Sequence, residues 1–210
     1  LTVTTDPLDC CATVNLPDVI VQDACGQVQD VTAFIYVLNQ FTGDTIDEFI
    51  VTSTLSNFPG NNLNNSDTLA VFGNTPCLPV GKHLVTYYSE DACGNSSSCS
   101  FNLTVADNVP PIAACDEITQ VSLGIDGMIF VNASTFDDGS YDNCGQVYFK
   151  VRRLDANACQ LNNRFFDQVK FCCEDVGDTI KVILRVYDVP VPTGEVSLTF
   201  EEQHSNECQV

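Results

Sequence analysis

Basic residues are scarce in this sequence, and their scarcity excludes whole classes of partner. Only 8 of the 210 residues are Lys or Arg, against 28 Asp and Glu, which gives a formal net charge of -20. A surface of that charge repels phosphate backbones and anionic lipid headgroups. We therefore expect no nucleic acid among the partners of this chain. The net negative charge supports two hypotheses. It keeps an extracellular surface soluble, or it is neutralised by a divalent cation such as calcium.

Long apolar runs are also missing. No stretch approaches the roughly 20 apolar residues that a transmembrane helix needs, so we expect no membrane insertion. The chain opens on Leu1-Thr2-Val3-Thr4-Thr5, without an initiator Met, a basic segment or the apolar segment of a signal peptide. We expect any secretion signal to lie outside these residues.

The residue patterns of catalytic and zinc sites are absent too. Of the two histidines, His83 opens an alternating strand and His204 lies among Glu and Asn, and neither accompanies a Ser or Cys motif. No spacing singles out a pair of carboxylates. No Cys-x-x-Cys supplies the closely spaced thiolates of a zinc site. The sequence therefore predicts neither an enzyme nor an organic cofactor.

Cysteine, by contrast, is abundant. An even number of twelve cysteines without metal-site spacing favours a disulfide framework and an oxidising, extracellular compartment. Three of them lie in a recurring Asp-x-Cys-Gly motif, at Asp23-Ala24-Cys25-Gly26, Asp91-Ala92-Cys93-Gly94 and Asp142-Asn143-Cys144-Gly145. The twelve are Cys10, Cys11, Cys25, Cys77, Cys93, Cys99, Cys115, Cys144, Cys159, Cys172, Cys173 and Cys208.

Apolar residues alternate with period two between clusters of Gly, Pro, Asn and Asp, which predicts an all-β sandwich. No segment has a convincing helical period. The expected strands include Val19–Val21, Ala33–Leu38, His83–Tyr88, Ser100–Val105, Met128–Val131, Val147–Arg152, Val169–Cys173 and Ile180–Tyr187.

An internal repeat divides the chain in two. Residues 103–107, Leu-Thr-Val-Ala-Asp, followed by Pro110-Pro111 and Cys115, echo Leu-Thr-Val-Thr-Thr-Asp at the start, followed by Pro7 and Cys10. We therefore expect two domains, residues 1–106 and 107–210, each of the size of an immunoglobulin-like β-sandwich. Each half carries six cysteines and a net charge of -10.

The two ends of the chain are nearly in register with this repeat. Cys99 is followed by Ser-Phe-Asn-Leu-Thr-Val, whereas the second half stops at Cys208-Gln209-Val210, and the chain starts on Leu-Thr-Val. Joined tail to head, the two ends fall one residue short of a complete final strand, and a slip of one residue reverses the faces of a strand. The chain is then an excerpt of a tandem array, or a subunit whose end strand completes a neighbour. An arbitrary boundary is the third possibility.

The run Gly81-Lys-His-Leu-Val-Thr-Tyr-Tyr-Ser-Glu-Asp-Ala-Cys-Gly-Asn-Ser-Ser-Ser-Cys-Ser-Phe-Asn-Leu-Thr-Val-Ala-Asp107 resembles the closing half of hyalin-repeat domains. In that family the run forms the last two strands of an immunoglobulin-like sandwich. The second half looks like a related repeat, through residues 109–115, 136–145 and 169–177. The resemblance implies a large secreted surface protein of Bacteroidota, exported by the type IX route.

Two segments depart from the family pattern. The insert at 40–75 is longer than a hyalin repeat allows, and residues 188–206 replace a short Asp-x-x-Gly-Asn loop. The primary expectation is a rigid stalk or filament of a bacterial cell surface, with copies of the chain or neighbouring repeats as head-to-tail partners. The alternative is an adhesive module that binds a glycan or host surface through 40–75 or 188–206.

The sandwich implied by the resemblance suggests disulfide pairings. A Cys25–Cys93 bridge would link two loops at one end, and Cys10 or Cys11 would reach Cys99, leaving the other for Cys77. By analogy Cys115 would pair with Cys208. Cys144 and Cys159 would then share Cys172 and Cys173. Six cysteines allow 15 connectivities in each domain, so sequence alone does not choose among them.

The same arrangement suggests a calcium site at the joint between the domains, since hard cations take six to eight oxygen ligands. Asx-turns beside glycine are the alternative role for these acids. The candidate ligands are Asp107, Asn108, Asp137, Asp138, Asp142 and Asp188.

Three Asp-Thr-aliphatic triplets resemble the O-glycosylation signal of Bacteroidota and would place glycans on Thr45, Thr68 and Thr179. The cluster Lys150, Arg152 and Arg153 is the only basic patch in the sequence. We expect it to pair with neighbouring acids, or alternatively to dock on the acidic face of another subunit.

Overall fold

The computed structural model describes residues 1–23, 28–57, 67–155 and 159–210. Within them the chain is nearly all β, with three short 3-10 helices, and no described helix is long and apolar enough to cross a membrane. The residues group into two compact units, Leu1–Asp107 and Asn108–Val210, a division one residue later than the boundary expected from the repeat.

The described residues of the first unit form nine strands. Seven of them form one sheet in the order β1-β9-β8-β4-β5-β6-β3, and β2 pairs with β7. The strands are β1 (Thr2–Thr4), β2 (Cys11–Ala12), β3 (Val19–Gln22), β4 (Val28–Leu38), β5 (Thr45–Asn57), β6 (Asp67–Phe72), β7 (Leu78–Pro79), β8 (Gly81–Asp91) and β9 (Ser96–Ala106).

The long strand β5 joins the two parts of this sheet. Its residues 45–52 pair with β4 and its residues 53–57 pair with β6, which in turn pairs with β3. At the other edge, β1 runs parallel to β9, so that Val3 lies beside Val105. One continuous strand therefore carries the chain from one group of paired strands to the other.

The core of the first unit follows from the alternation of side chains along each strand. On β8, His83, Val85 and Tyr87 are buried, and on β9 Leu103 and Val105 are 0% and 1% exposed. These residues pack with the apolar side chains of the preceding strands in one cluster. The end of β9 thus supplies two of the most completely buried side chains of the unit.

The insert at 40–75 is largely sheet. Strands β5 and β6 occupy most of its described part, whereas its residues 58–66 lie outside the described residues. Leu55 and Ala70 of the insert pack on the core, whereas Phe41, Ile46 and Ile50 are exposed. The excess length over the family pattern is therefore part of the sheet that builds the unit.

Seven strands in shorter sheets make up the second unit where the structure describes it. Three strands pair in the order β11-β14-β16, and two pairs join β10 with β13 and β12 with β15. The strands are β10 (Met128–Asn132), β11 (Tyr148–Arg153), β12 (Arg164–Phe165), β13 (Gln168–Cys172), β14 (Val182–Tyr187), β15 (Val196–Ser197) and β16 (Ser205–Gln209).

Strand β14 is the centre of this unit, because all six of its residues are buried. It pairs with β11 on one side and with β16 on the other. Val182, Leu184 and Val186 face a core that includes Phe136 and Phe171. Ile183 belongs to a second, smaller cluster with Phe165 and Val196 on the opposite face, so β14 separates two apolar layers.

Candidate functional site

Disulfides join described cysteines in both units. Cys11 on β2 bonds to Cys77, just before β7, with their Cα atoms 5.4 Å apart. In the second unit Cys115 bonds to Cys208 on β16 (Cα–Cα 5.9 Å) and Cys159 to Cys172 (6.1 Å). These separations lie within the usual range of disulfides. Cys10 and Cys144 are also disulfide-bonded.

Three other cysteines carry no disulfide, against the expectation that each would take part in one. Cys93, Cys99 and Cys173 are free and exposed. Because Cys99 is free, the expected bridge from Cys10 or Cys11 to Cys99 is wrong, whereas Cys11 bonds to Cys77, the other partner expected for this vicinal pair. The expected Cys25–Cys93 bridge fails at Cys93, and Cys25 itself lies outside the described residues.

The Asp-x-Cys-Gly motif is an Asx-turn in both units. Asp91 accepts the backbone N–H of Cys93 at 2.8 Å, and Asp142 accepts that of Cys144 at 2.7 Å. The carboxylate two residues before each cysteine therefore holds the turn. The first copy of the motif falls on the undescribed residues 24–27, apart from Asp23.

The Asp91 carboxylate accepts further hydrogen bonds besides the one from Cys93. It also accepts the Asn95 backbone N–H at 2.8 Å and the Asn95 side chain at 2.7 Å. These Asn95 bonds, together with those from Cys93 and Gly94, outweigh desolvation and lower the pKa of Asp91. Gly94 adopts a φ of +83°, which closes the turn.

Two of the acids expected to bind calcium, Asp137 and Asp142, make the contacts of the Asx-turn alternative, and two others have partners distant in sequence. Within the second unit, Asp137 accepts the backbone N–H of Ser140 at 2.9 Å, and Asp142 that of Cys144. Asp188 lies 3.2 Å from the His204 ring. Asp107, in the first unit, accepts the hydroxyl of Thr5. Asp138 and Asn108 are exposed, and a calcium site formed by all six residues stays a prediction.

The candidate ligand atoms of Cys159, Cys172 and Asp175 lie within 4.8 Å of one another, which is close enough to hold a metal ion. Cys159 and Cys172 are bonded to each other, which removes the thiolates that a metal would need. Asp175 accepts two bonds from the Arg153 guanidinium and one from the Cys172 backbone. The contacts of this cluster therefore support the fold and leave no thiolate for a metal ion.

The threonines of the three predicted glycosylation signals differ in exposure. Thr45 starts β5 and is exposed, and Thr179 is exposed just before β14. Thr68 is half-buried and pairs with both Val21 and Asn57 inside the sheet. The first two are the accessible candidates among them.

The two histidines have different partners. His83 is 0% exposed in the core, where its Nε2 lies 2.8 Å from the Pro79 carbonyl oxygen. Burial lowers its pKa, although the Pro79 bond opposes the shift, and this favours the neutral ring. His204 pairs with Asp188, whose side chain is almost fully buried.

The basic patch lies inside the second unit. Lys150 is 0% exposed, and its ammonium pairs with Asp167 and donates to the carbonyl oxygens of Pro192 and Gly194, at 2.6 and 2.8 Å. It thereby fastens the 188–206 segment to β11. The expectation that the patch pairs with acids is confirmed for Lys150.

Two buried arginines extend this pattern. Arg153, also 0% exposed, makes a bidentate pair with Asp175 at 2.8 and 2.9 Å. Desolvation lowers the pKa of Arg153, but the Asp175 bonds and charge raise it overall. Arg185 pairs with Glu207 on β16 and donates to the carbonyl of Leu198. Sequence reasoning missed Arg185, although a lone cation inside the apolar run of β14 was a signal for it.

A large groove opens on the core of the second unit. It has a volume of about 880 Å³, its walls are residues 117–123 and 175–180, and Val210 also lines it. Its other lining residues are Phe136, Phe171 and Val182, three members of the buried core. These three side chains are 3%, 7% and 2% exposed, so they form a buried floor beneath the groove.

Residues 13–105 match the family model of the HYR domain, the domain formed by the hyalin repeat. The match covers most of the first unit and none of the second. No curated protein and no solved structure matches the chain. HYR domains are extracellular, non-catalytic repeat modules, in agreement with the disulfides that both units contain.

Proposed function

We propose that this chain is a non-enzymatic structural module, in which tandem immunoglobulin-like units form a rigid stalk or filament on a bacterial cell surface. The observation that carries the proposal is a HYR domain at residues 13–105, followed in the same chain by a second disulfide-bonded β unit. Tandem repeat modules of this kind make a protein long and stiff.

The strand arrangement of the first unit supports the prediction of an immunoglobulin-like fold. Its strand order places β9 and β8 beside β4, while β5 leads across to β6 and β3. The buried residues of both groups pack in one cluster. A sheet that folds over a shared core in this way has the layering of a β-sandwich.

The second unit supports the same role by its internal fastening. Lys150, Arg153 and Arg185 each tie a loop or a 3-10 turn to a central strand. The Cys115–Cys208 bond closes a sequence separation of 93 residues. Such cross-links resist local opening, which suits a load-bearing domain.

The finer features remain part of this proposal. The bacterial surface is that of Bacteroidota with type IX export, as the resemblance to their secreted repeat proteins implies. Glycans on Thr45 and Thr179 would protect the stalk further, and calcium would stiffen it, with the candidate ligands Asp107, Asn108, Asp137, Asp138, Asp142 and Asp188.

Electron microscopy of the protein on its native cells tests the proposal. We expect antibodies raised against residues 1–210 to label thin projections or filaments. Repeats of the same pattern in the parent gene would agree. Labelling confined to the cytoplasm, or a parent gene without further repeats together with isolated particles only, would contradict it.

Adhesion is the second candidate function, and exposed apolar residues in the insert favour it. Phe41 is 99% exposed at the tip of a turn, and Ile46 and Ile50 on β5 are 63% and 61% exposed. A glycan array and an adhesion assay can compare the intact chain with a variant carrying Phe41→Ser, Ile46→Thr and Ile50→Thr. Equal binding by both proteins would remove this surface as the adhesive site.

A further inference from the structure

Strand β4 is apolar on both of its faces. Its second half reads Ala-Phe-Ile-Tyr-Val-Leu. Ala33, Ile35 and Val37 point into the core and are 0%, 0% and 3% exposed. The alternate side chains, Phe34 and Tyr36, lie on the opposite side of the sheet and are only half-buried. A strand that lacks a polar face is typical of a sheet that is covered on both sides.

Neighbouring strands continue this second apolar face. Phe34 lies opposite Ile50 on β5, and Tyr36 lies opposite Leu84 on β8. Ile50 is 61% exposed, and Tyr88, on the same side of β8 as Leu84, is 37% exposed. We call the surface formed by these five residues the outer face. Contiguous exposed apolar side chains of this kind mark an interaction surface.

A single cation lies at one end of the outer face. Lys82 precedes Leu84 by two residues on β8, so the two side chains lie on the same side of the sheet. Lys82 is exposed and is the only Lys or Arg among residues 1–107. It takes part in no ion pair within the described part of the chain.

Two carboxylates lie at the other end of the outer face. Asp30 on β4 is directly opposite Glu90 on β8, and both are exposed. The Thr32 hydroxyl donates to Asp30 at 2.8 Å and the Tyr88 hydroxyl to Glu90 at 3.4 Å, which places both carboxylates on the outer side. Like charges directly opposite each other destabilise a strand pair. Among the described residues, no ion pair neutralises either acid.

We propose that the outer face binds the outer face of a second copy of the chain. Thr86, which lies opposite Phe34, is four residues from Lys82 and four from Glu90. A two-fold axis between the two faces, crossing the strands at this row, reverses the strand direction from one copy to the other. Lys82 of each copy then meets Glu90 and Asp30 of the other, and the two Phe34 rings meet at the centre.

The charges of the outer face select a second copy as its occupant. The chain has a net charge of -20, so two copies repel each other over most of their surfaces. At the outer face, by contrast, the two-fold arrangement brings an unpaired cation to a pair of unpaired acids twice. The same arrangement packs Leu84 of one copy against Tyr88 of the other. Complementary charges at both ends fix the register of this apolar contact.

The size of the outer face makes the contact weak between single chains. Strands β9, β8, β4 and β5 are about 4.8 Å apart, and Lys82 and Glu90 are separated by about 26 Å, which gives about 500 Å² on each copy. The total of about 1,000 Å² is at the lower limit of specific interfaces. Pairing becomes stronger where several such units are linked in one chain. The inference goes beyond the proposed stalk, because it joins separate chains through the face of a sheet.

Charge reversal in the 210-residue chain tests the pairing. One variant carries Lys82→Glu, and a second carries Asp30→Lys and Glu90→Lys. Lys181→Glu is the matched control, because it changes the net charge as Lys82→Glu does but at an exposed residue of the second unit. Sedimentation equilibrium at concentrations up to about 1 mM gives the association constants. EDTA in every sample removes metal ions that could bridge the acids.

We expect the unmodified chain and the Lys181→Glu control to form dimers. The association constant of each charge variant alone falls by about tenfold or more, because acids meet acids in one and lysines meet lysines in the other. The second variant weakens pairing although it lowers the net charge of the chain. An equimolar mixture of the two variants restores a 1:1 dimer, since each end again combines lysine with acid.

The apolar centre has its own test. Phe34→Thr should lower the association constant about tenfold, whereas Ile20→Thr, a change of an exposed residue on the edge strand β3, should leave it unchanged. Circular dichroism checks that each variant is folded.

Two outcomes would overturn the proposal. One is an unmodified chain that stays monomeric up to about 1 mM, in which case loss of glycan-array binding by Phe34→Thr would assign the outer face to a carbohydrate. The other is a mixture of charge variants that associates no better than either variant alone. Both outcomes leave the stalk standing, because antibody labelling of projections on cells does not depend on this contact.

Discussion

At the scale of single residues, the second unit is organised by buried cations. Lys150 and Arg153 are 0% exposed and Arg185 is 7% exposed, in a chain whose net charge is -20. Each is surrounded by carboxylate and carbonyl oxygens, so the cost of burying a charge is offset by several charge-assisted bonds. Because the acids are plentiful, the few cations become the scarce partners on which the loops depend.

Replacing Lys150 by Met should therefore destabilise the second unit strongly. Lys150→Met keeps the length of the side chain but leaves the Pro192 and Gly194 carbonyl oxygens and Asp167 without their shared donor. We expect the free energy of unfolding to fall by about 2–4 kcal/mol. Urea denaturation followed by circular dichroism measures the change.

Arg164 supplies the matched control for Lys150. It forms an ion pair with Glu195 at 3.2 Å, and both side chains are about half exposed. Arg164→Met should cost less than about 1 kcal/mol, since exposed ion pairs contribute little. Equal losses from the two substitutions would show that burial is not what makes Lys150 important.

Asp91 should make stability depend on pH in the acid range. Its bonds to Asn95 and Cys93 hold its pKa below the ordinary value of 3.8. The ionised carboxylate thus stabilises the fold above pH 3.8, and its contribution disappears as the pH falls through the lowered folded value. Asp91→Ala should lower the melting temperature at pH 7, and the gap to the unmodified chain should narrow as Asp91 is protonated.

Melting curves between pH 7 and about pH 2 would follow that gap through the titration of the carboxyl. Asp44→Ala, a change of an exposed turn residue, is the control and should shift the curves little at any pH. A gap for Asp91→Ala that is constant across the whole range would mean that the charge of Asp91 does not hold the turn.

At the scale of elements, alternation located the strands well where one face is buried. The expected segments His83–Tyr88 and Ser100–Val105 lie inside β8 and β9, each of which continues further at both ends. Backbone pairing extends a strand into positions such as Ser96 and Ser97, whose side chains are exposed and carry no periodic signal. The alternation of polar and apolar residues therefore could not predict where these strands begin and end.

Strand β5 was missed for the same reason. Its exposed side, with Ile46 and Ile50, is apolar, so its polar and apolar residues do not separate cleanly between faces. The interpretation of 40–75 as an insert depended on its length against the family pattern. Pairing with β4 and β6, which joins distant segments, decides its structure and cannot be read from local sequence.

Site prediction succeeded for turn chemistry and failed for features made by the fold. The Asp-x-Cys-Gly motif could be interpreted as an Asx-turn because every partner lies within four residues. The groove at residues 117–123 and 175–180, by contrast, is formed by segments more than 50 residues apart. The free thiols were missed because an even number of cysteines favours a bond for each of them, whereas each bond depends on which segments the fold makes neighbours.

The disulfides should contribute to stability in the order of the loops they close. Cys115 and Cys208 are separated by 93 residues, whereas Cys159 and Cys172 are separated by 13. On loop entropy alone, replacing the first pair by Ser should cost about 4–5 kcal/mol and the second about 3 kcal/mol. Urea denaturation of the two double variants measures both losses.

Cys93 is the control for these substitutions, because it is exposed and carries no disulfide. Cys93→Ser should change stability by no more than about 0.5 kcal/mol. A larger loss of stability from removing the Cys159–Cys172 disulfide than from removing the Cys115–Cys208 disulfide would contradict this order. It would mean that native contacts around Cys172 contribute more to stability than loop entropy does.

At the scale of the whole molecule, the two units share their charge equally. Each sequence half carries a net charge of -10, so like charges repel one another within each unit. The groove of the second unit adds to this repulsion, since Glu117 and Asp178 are among its lining residues.

The stability of the folded chain should therefore increase with ionic strength. Salt weakens the repulsion between the excess carboxylates, whereas buried pairs such as Arg153 with Asp175 are screened much less. We expect the melting temperature to rise as sodium chloride increases from about 0.02 M to about 0.5 M, as the Debye length shortens from tens of ångströms to a few. Differential scanning calorimetry across that range measures the change. A melting temperature that falls with salt would mean that attraction between the few cations and their acidic partners outweighs the repulsion between the carboxylates.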